Sequence, residues 1–174
     1  MRRLIFALVA VAASSTIPAS ASGQVQVGPF AAFHDEADLG VGAFVGIPVP
    51  EIHEDISFIG NFGYFFPDKH HNGVRDSDYW EANANLMFRF PLEDPRFTPW
   101  VMGGLNVAHW SWDDEGEGVR EFEGTNTDIG LNLGGGVTFG TGTTLPFAGV
   151  KFELDGGEGA VLFGGVSFVV GGEG

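Results

Sequence analysis

The 174-residue chain contains no cysteine. A disulfide framework, a zinc–thiolate centre and a cysteine nucleophile are therefore excluded. Positive charge is scarce: 8 Lys and Arg face 23 Asp and Glu, a formal net charge of −15, which argues against nucleic acid as a partner. Stretches rich in helix-favouring Ala, Leu, Lys and Glu are missing, whereas glycine (28), proline (9) and phenylalanine (17) are abundant. Beyond the N-terminus no apolar run approaches the roughly 20 residues of a spanning helix.

The N-terminus has a different character. Met1-Arg2-Arg3 is basic, Leu4 to Ala13 is apolar, and Ala19-Ser20-Ala21 has the small-x-small form of a cleavage site. This is the pattern of a secretory signal peptide. It sets an expectation of a leader over 1–21 and one β-barrel domain over 22–174.

From Gln24 onward, segments of period two alternate with breaks rich in Gly, Asp and Pro, which predicts about eight antiparallel strands. They are expected at Val25–His34, Gly40–Val49, Ile56–Phe66, Tyr79–Phe90, Trp100–Trp112, Asp128–Phe139, Leu145–Leu154 and Ala160–Val170. Each approximates the ~9–11 residues that a tilted strand needs to cross a bilayer. Long loops are expected at Asp68–Asp78 and Asp113–Thr127, and shorter ones at Asp35–Leu39 and Asp155–Gly159. Turns are expected at Pro50–Asp55, Pro91–Phe97 and Gly140–Thr144.

Alternation alone does not say which face is inside. The composition of the polar face does. A water-bathed face would be rich in Lys, Glu and Thr, but here it is mostly Gly, Asn and Ser. Glu81, Asn83, Asn85, Arg89, Asn106, Asn132, Lys151 and Glu153 occupy it, with Glu81 and Arg89, and Lys151 and Glu153, supplying both signs of charge. Such a set suits a narrow eight-stranded interior filled by side chains. The opposite phase is Val, Leu, Ile and Phe, nearly free of charge, as hydrocarbon requires. Trp80, Trp100, Trp110 and Trp112 fall near strand ends, where an interfacial belt is expected. The expected fold class is all-β: an eight-stranded antiparallel up-and-down transmembrane β-barrel after a cleaved signal peptide.

On strand pattern, signal and polarity, the chain resembles the small outer-membrane β-barrel families, the OmpA-like, OmpX-like and opacity-type proteins. Gly165-Val166-Ser167-Phe168 is similar to part of their C-terminal assembly signal; valines and glycines then stand where those families have a terminal aromatic. The resemblance implies the outer membrane of a Gram-negative-type bacterium, with outer-membrane lipids, lipopolysaccharide and the barrel-assembly machinery as partners, and no cofactor.

Three functional readings are open. In the first, the barrel is a non-enzymatic scaffold that presents acidic loops. In the second, His109 and Ser111, two apart and so on one strand face, act as base and nucleophile, with Glu121, Glu123 or Asp128 orienting the histidine. That arrangement is similar to outer-membrane lipid A deacylases, in which Asn-Ala commonly follows the serine; here Trp112-Asp113 follows. In the third, the chain is a soluble exported lipocalin-like barrel with an apolar cavity. Asp113, Asp114, Glu115 and Glu117 are candidate contacts for divalent cations, although they lack the ligand spacing of a calcium loop. Those ions could bridge to lipopolysaccharide phosphates. His34, His53, His70 and His71 show no metal-binding spacing, and Gly134-Gly135-Gly136 lacks the Lys-Ser/Thr of a phosphate loop.

Overall fold

The computed structural model describes residues 24–66, 76–114, 122–154 and 159–171; at 76, 77, 112–114 and 122–124 it describes backbone only. The signal-peptide segment, His70, His71, Glu115, Glu117 and Glu121 lie outside the described residues.

Eight strands follow in chain order: β1 (Val25–His34), β2 (Asp38–Pro48), β3 (Ile56–Phe65), β4 (Asp76–Arg89), β5 (Phe97–Asp114), β6 (Phe122–Phe139), β7 (Thr144–Leu154) and β8 (Gly159–Val170). Each pairs antiparallel with its neighbour, and β8 pairs with β1, so the sheet closes into a barrel. Closure leaves no free edge and satisfies the backbone within the sheet, which lipid demands of any spanning sheet.

The expected strands fall within one to three residues of those observed, except between β5 and β6. Of the stretch Asp113–Thr127, expected as a loop, 113–114 and 122–127 are ladder: pairing runs outward to Asp113↔Glu123 and Asp114↔Phe122. The residues there are almost all polar or glycine, so composition read as loop where the backbone pairing continues. Similarly, β4 begins at Asp76, inside the expected Asp68–Asp78 loop.

The meander defines two ends. The start of β1, the end of β8 and the turns 49–55, 90–96 and 140–143 lie at the terminal end. The connections after β1, β3, β5 and β7 lie at the loop end. The terminal turns are locally determined. Asp94 accepts hydrogen bonds from the Arg96 backbone and guanidinium, which hold its carboxyl below the usual range. Gly140 adopts a φ of 94°, a region that glycine enters without strain. At the loop end Asp38 takes a φ of 59°, and Asp35 ties the first connection to β8 by accepting the Ala160 N–H at 3.0 Å.

The two faces sort by polarity in the opposite sense to a water-soluble barrel. Outward-facing Leu86 (52% exposed), Leu105 (55%), Leu131 (54%) and Phe152 (52%) form an apolar band, while inward-facing Asn83, Asn132 and Lys151 are 5%, 4% and 4% exposed. A soluble lipocalin-like barrel would enclose the first set, so that reading is excluded by burial. Outer rings gather at both rims of the band. Phe62 stacks on Trp80 (5.8 Å) at the loop side; Phe88 meets Phe90 (5.0 Å) and Phe97 meets Phe139 (5.9 Å) at the terminal side. Trp80 and Phe88 are eight residues apart, ~26 Å along a strand, or roughly 20 Å along the barrel axis at a ~40° tilt. That height matches a bilayer core flanked by aromatic girdles.

The interior departs from a wholly polar plug. Its terminal half is aromatic: Phe30, Phe44, Trp100, Phe147 and Phe163 share the inward phase with Met87 and Met102. Trp100, expected in the interfacial belt, is inside and 3% exposed. Trp110 packs on the inward Tyr79 at 4.5 Å, and only the backbone of Trp112 is described. Inward glycines make room for these rings. A Cβ on Gly149 would lie 2.5 Å from Trp100 Cη2, and one on Gly165 would lie 2.9 Å from Phe147 Cζ. Gly134 and Gly136, from the triple-glycine run, clear space in the same way beside Lys151 and Trp100. Gly149→Leu should therefore lower unfolding stability by about 1–3 kcal/mol through overpacking. Urea unfolding of the refolded barrel measures this, and an unchanged midpoint would refute tight ring packing.

Candidate functional site

The most concentrated polar chemistry lies inside the barrel, in its loop-side half. Lys151 on β7 is its centre. Its ammonium donates to Glu81 Oε1 at 2.5 Å and to Asn83 Oδ1 at 3.4 Å, and it pairs with Glu153 Oε1 at 2.7 Å. A lysine has three donors, and here each meets an oxygen. β4 supplies Glu81 and Asn83 from alternate positions, and β7 supplies Lys151 and Glu153 likewise, so the four converge across the lumen. The network spreads through amides: Asn132 donates to Asn83 Oδ1 at 2.9 Å, and Asn83 donates to Asn61 Oδ1 at 2.8 Å. Asn85 and Asn106 are also buried, 1% and 0% exposed.

Two residues complete the cluster that alternation of polar and apolar residues did not single out. The Tyr79 hydroxyl donates to Glu153 Oε2 at 3.4 Å. His34 Nε2 lies 3.7 Å from the same oxygen, and its ring packs edge-on against Phe65 and Tyr79. The Glu36 backbone N–H donates to His34 Nδ1 at 3.0 Å, so the ring proton of a neutral imidazole belongs on Nε2, facing the carboxylate. Parity would have found both residues: Tyr79 is two before Glu81, and His34 is two after Ala32. Phe30 in the same phase of β1 obscured the second.

Arg89 is not Glu81's partner. It lies eight residues further along β4, at the terminal end, where its guanidinium donates to Ser57 Oγ at 3.3 Å. One ammonium therefore faces two carboxylates in the loop-side half of the lumen, and the Tyr79 hydroxyl helps to hold the second, with His34 beside it.

His109 and Ser111 face outward on β5, near the loop-side rim. Across the ladder His109 pairs with Trp80 and Thr127, and Ser111 pairs with Asp78 and Thr125. The imidazole stacks on Trp80 at 5.1 Å, and its Nδ1 is 2.7 Å from Thr127 Oγ1. Among the described residues it makes no hydrogen bond to Ser111. Asp128, a candidate orienting carboxylate, stands in the inward phase beside Ala108, opposite in sense to His109, and accepts a hydrogen bond from the Asn126 amide. It cannot orient His109. Glu123 has its backbone opposite Asp113, and Glu121 lies outside the described residues.

Asp113 and Asp114 are on the last rungs of β5; the structure describes their backbone only. No group of three His, Asp or Glu side chains able to hold a metal occurs among the described residues. His34 is interior, and His53 Nδ1 accepts the Asp55 N–H in the turn after β2.

No protein-family model matches the sequence, and no curated protein matches it significantly. Solved structures do resemble the fold. The N-terminal β-barrel domain of Pseudomonas aeruginosa OprF superposes with a TM-score of 0.58 at 17% identity, over 83% of this chain and 97% of that one. Neisserial surface protein A gives 0.62 at 17% identity, over 83% and 95%. Ail, the attachment invasion locus protein of Yersinia pestis, gives 0.51 at 14% identity, over 84% and 95%. The fold is therefore that of the small eight-stranded outer-membrane β-barrels.

Proposed function

We propose that the chain is a non-enzymatic outer-membrane protein of a Gram-negative-type bacterium, exported by its N-terminal signal peptide, with a rigid barrel as scaffold for an acidic outer surface. The observation that carries this reading is the inverted burial: an apolar band between two aromatic rims surrounds a buried, ion-paired polar core. A surface role is favoured by the β5–β6 hairpin. Asp114 is five residues past His109, ~16 Å along the strand, so this ladder projects well beyond the aromatic rim. In sequence, the segment from Asp113 to Glu123, the start of β4 and the connection after β1 carry Asp35, Glu36, Asp76, Asp78, Asp113, Asp114, Glu115, Glu117, Glu121 and Glu123. Carboxylates at that density suit contact with divalent cations bridged to lipopolysaccharide phosphates, or with a basic partner.

Against hydrolysis stand the hydrogen bond of His109 to Thr127 and its stacking on Trp80, which fit an interfacial side chain. Cell fractionation should place the protein in the outer membrane. Unheated samples should migrate anomalously on denaturing gels, and boiling should abolish the anomaly. Lipid A acylation should be identical with wild type and Ser111→Ala. Soluble recovery would refute the membrane reading, and a wild-type-dependent loss of an acyl chain would refute the non-enzymatic one.

A further inference from the structure

Below the Lys151 cluster the barrel is hollow. A cavity of about 130 Å³ runs from the terminal end to Glu81 and Lys151. Its walls are Phe30, Phe44, Trp100, Met102, Phe147 and Phe163. These rings brace one another: Phe44 meets Phe147 edge-on at 5.2 Å, and Trp100 lies 6.0 Å from Phe163. Walls made of large rings, each seated against inward glycines, cannot collapse into the space.

The cavity is blind. Beside Lys151, Val161 is 1% exposed, and beyond it Phe65, Tyr79 and Ala37 are 0% exposed, so the loop end is sealed. The other end is open: Gly140 is exposed and lines it, alongside Gln26, Arg89, Thr98 and Ser167. The two cations of the lining differ in circumstance. Lys151 is engaged by two carboxylates at the floor, whereas Arg89 at the mouth donates only to the Ser57 hydroxyl and enters no ion pair among the described residues.

We propose that this cavity is a binding site for a small aromatic carboxylate, entered from the terminal end, with the ring between Trp100, Phe147 and Phe163 and the carboxylate on the Arg89 guanidinium. A cavity of ~150 Å³ lined by apolar side chains admits benzene, so this one matches a single ring in size. A ring also meets ring edges on several walls, an arrangement that favours aromatic over saturated guests. A guanidinium at a solvated mouth suits a carboxylate, which need not be desolvated fully to reach it. This site is independent of the outer surface assigned above, so it stands or falls on its own test.

The sequence supplies the probe. Its three methionines are Met1, Met87 and Met102, and the latter two line the cavity. The full barrel, refolded in detergent with ¹³C-methyl methionine, should show saturable shifts of the Met87 and Met102 methyls on titration with benzoate. Arg89→Gln should weaken benzoate about three- to five-fold while leaving benzyl alcohol unchanged, the scale of a half-exposed ion pair. Leu145→Trp, which puts an indole in the opening, should abolish both titrations; Val161→Phe fills the blind end if that variant does not refold. No saturable shift with benzoate would overturn the proposal. Shifts that survive the filling variant would place the ligand in the micelle and overturn it too. Equal loss of benzoate and benzyl alcohol in Arg89→Gln would overturn the role of the carboxylate.

Discussion

Lys151→Ala should destabilise the barrel by about 3–5 kcal/mol, the scale seen when one partner of a buried ion pair is removed. The reason is local. Glu81 and Glu153 are 1% and 3% exposed, and without the ammonium both carboxylates would sit in a lumen closed above by Phe65 and Tyr79. Both would then be charged groups in the barrel interior with no cation beside them. Arg89→Ala offers the contrast. Its guanidinium is half-buried at the open end and holds a single neutral hydroxyl, so its loss should cost about 1 kcal/mol or less. Urea unfolding of both variants, refolded into lipid vesicles, measures the difference. Comparable small losses would mean that the Lys151 cluster is not the electrostatic centre of the interior.

Leu105→Arg should cost about 2–4 kcal/mol in lipid, the depth-dependent penalty for a cation at the bilayer midplane. Leu105 pairs with Ala84, which is four residues from both Trp80 and Phe88, so the site lies midway between the aromatic rims. The same change at Ile129, nearer the loop-side rim, should cost about 1 kcal/mol or less because the side chain can reach the interface. Depth is what distinguishes the two sites, since Leu105 is 55% and Ile129 is 72% exposed. If water bathed this face, both substitutions would be nearly neutral, as surface replacements usually are. Vesicle-refolding yield and urea midpoints for the two variants decide between these outcomes.

Much of this architecture is legible in the sequence because a barrel is a repeated use of one rule. Period two persists through β4 and β6 with small polar residues in one phase, and closure then dictates that phase as interior. That logic placed Glu81, Asn83, Asn132, Lys151 and Glu153 together without any knowledge of register. Alternation failed where both phases are apolar. Trp100 reads as interfacial by composition, and Phe30, Phe44, Phe147 and Phe163 carry no polar signal of an inward face, yet parity puts all five inside. Glycines elsewhere on the ladder, Gly42, Gly136 and Gly149, make their fit possible, and such pairing across strands is invisible until register is known. Register also decides which opposite charges meet. Glu81 and Arg89 share a strand and a phase but are ~26 Å apart, whereas Glu81 and Lys151, 70 residues apart, touch. The His109–Ser111 pair was visible as a motif, but its actual neighbours, Trp80 and Thr127, come from adjacent strands.

The central claim is that hydrocarbon surrounds the barrel. The native chain lacks cysteine, so single cysteines at Leu86, Leu131 and Phe152 can each carry a fluorophore without background labelling. In lipid vesicles, quenchers attached to lipid acyl chains should extinguish all three labels, and aqueous iodide should leave them bright. Strong iodide quenching with no effect of the lipid-borne quencher would contradict the membrane assignment outright.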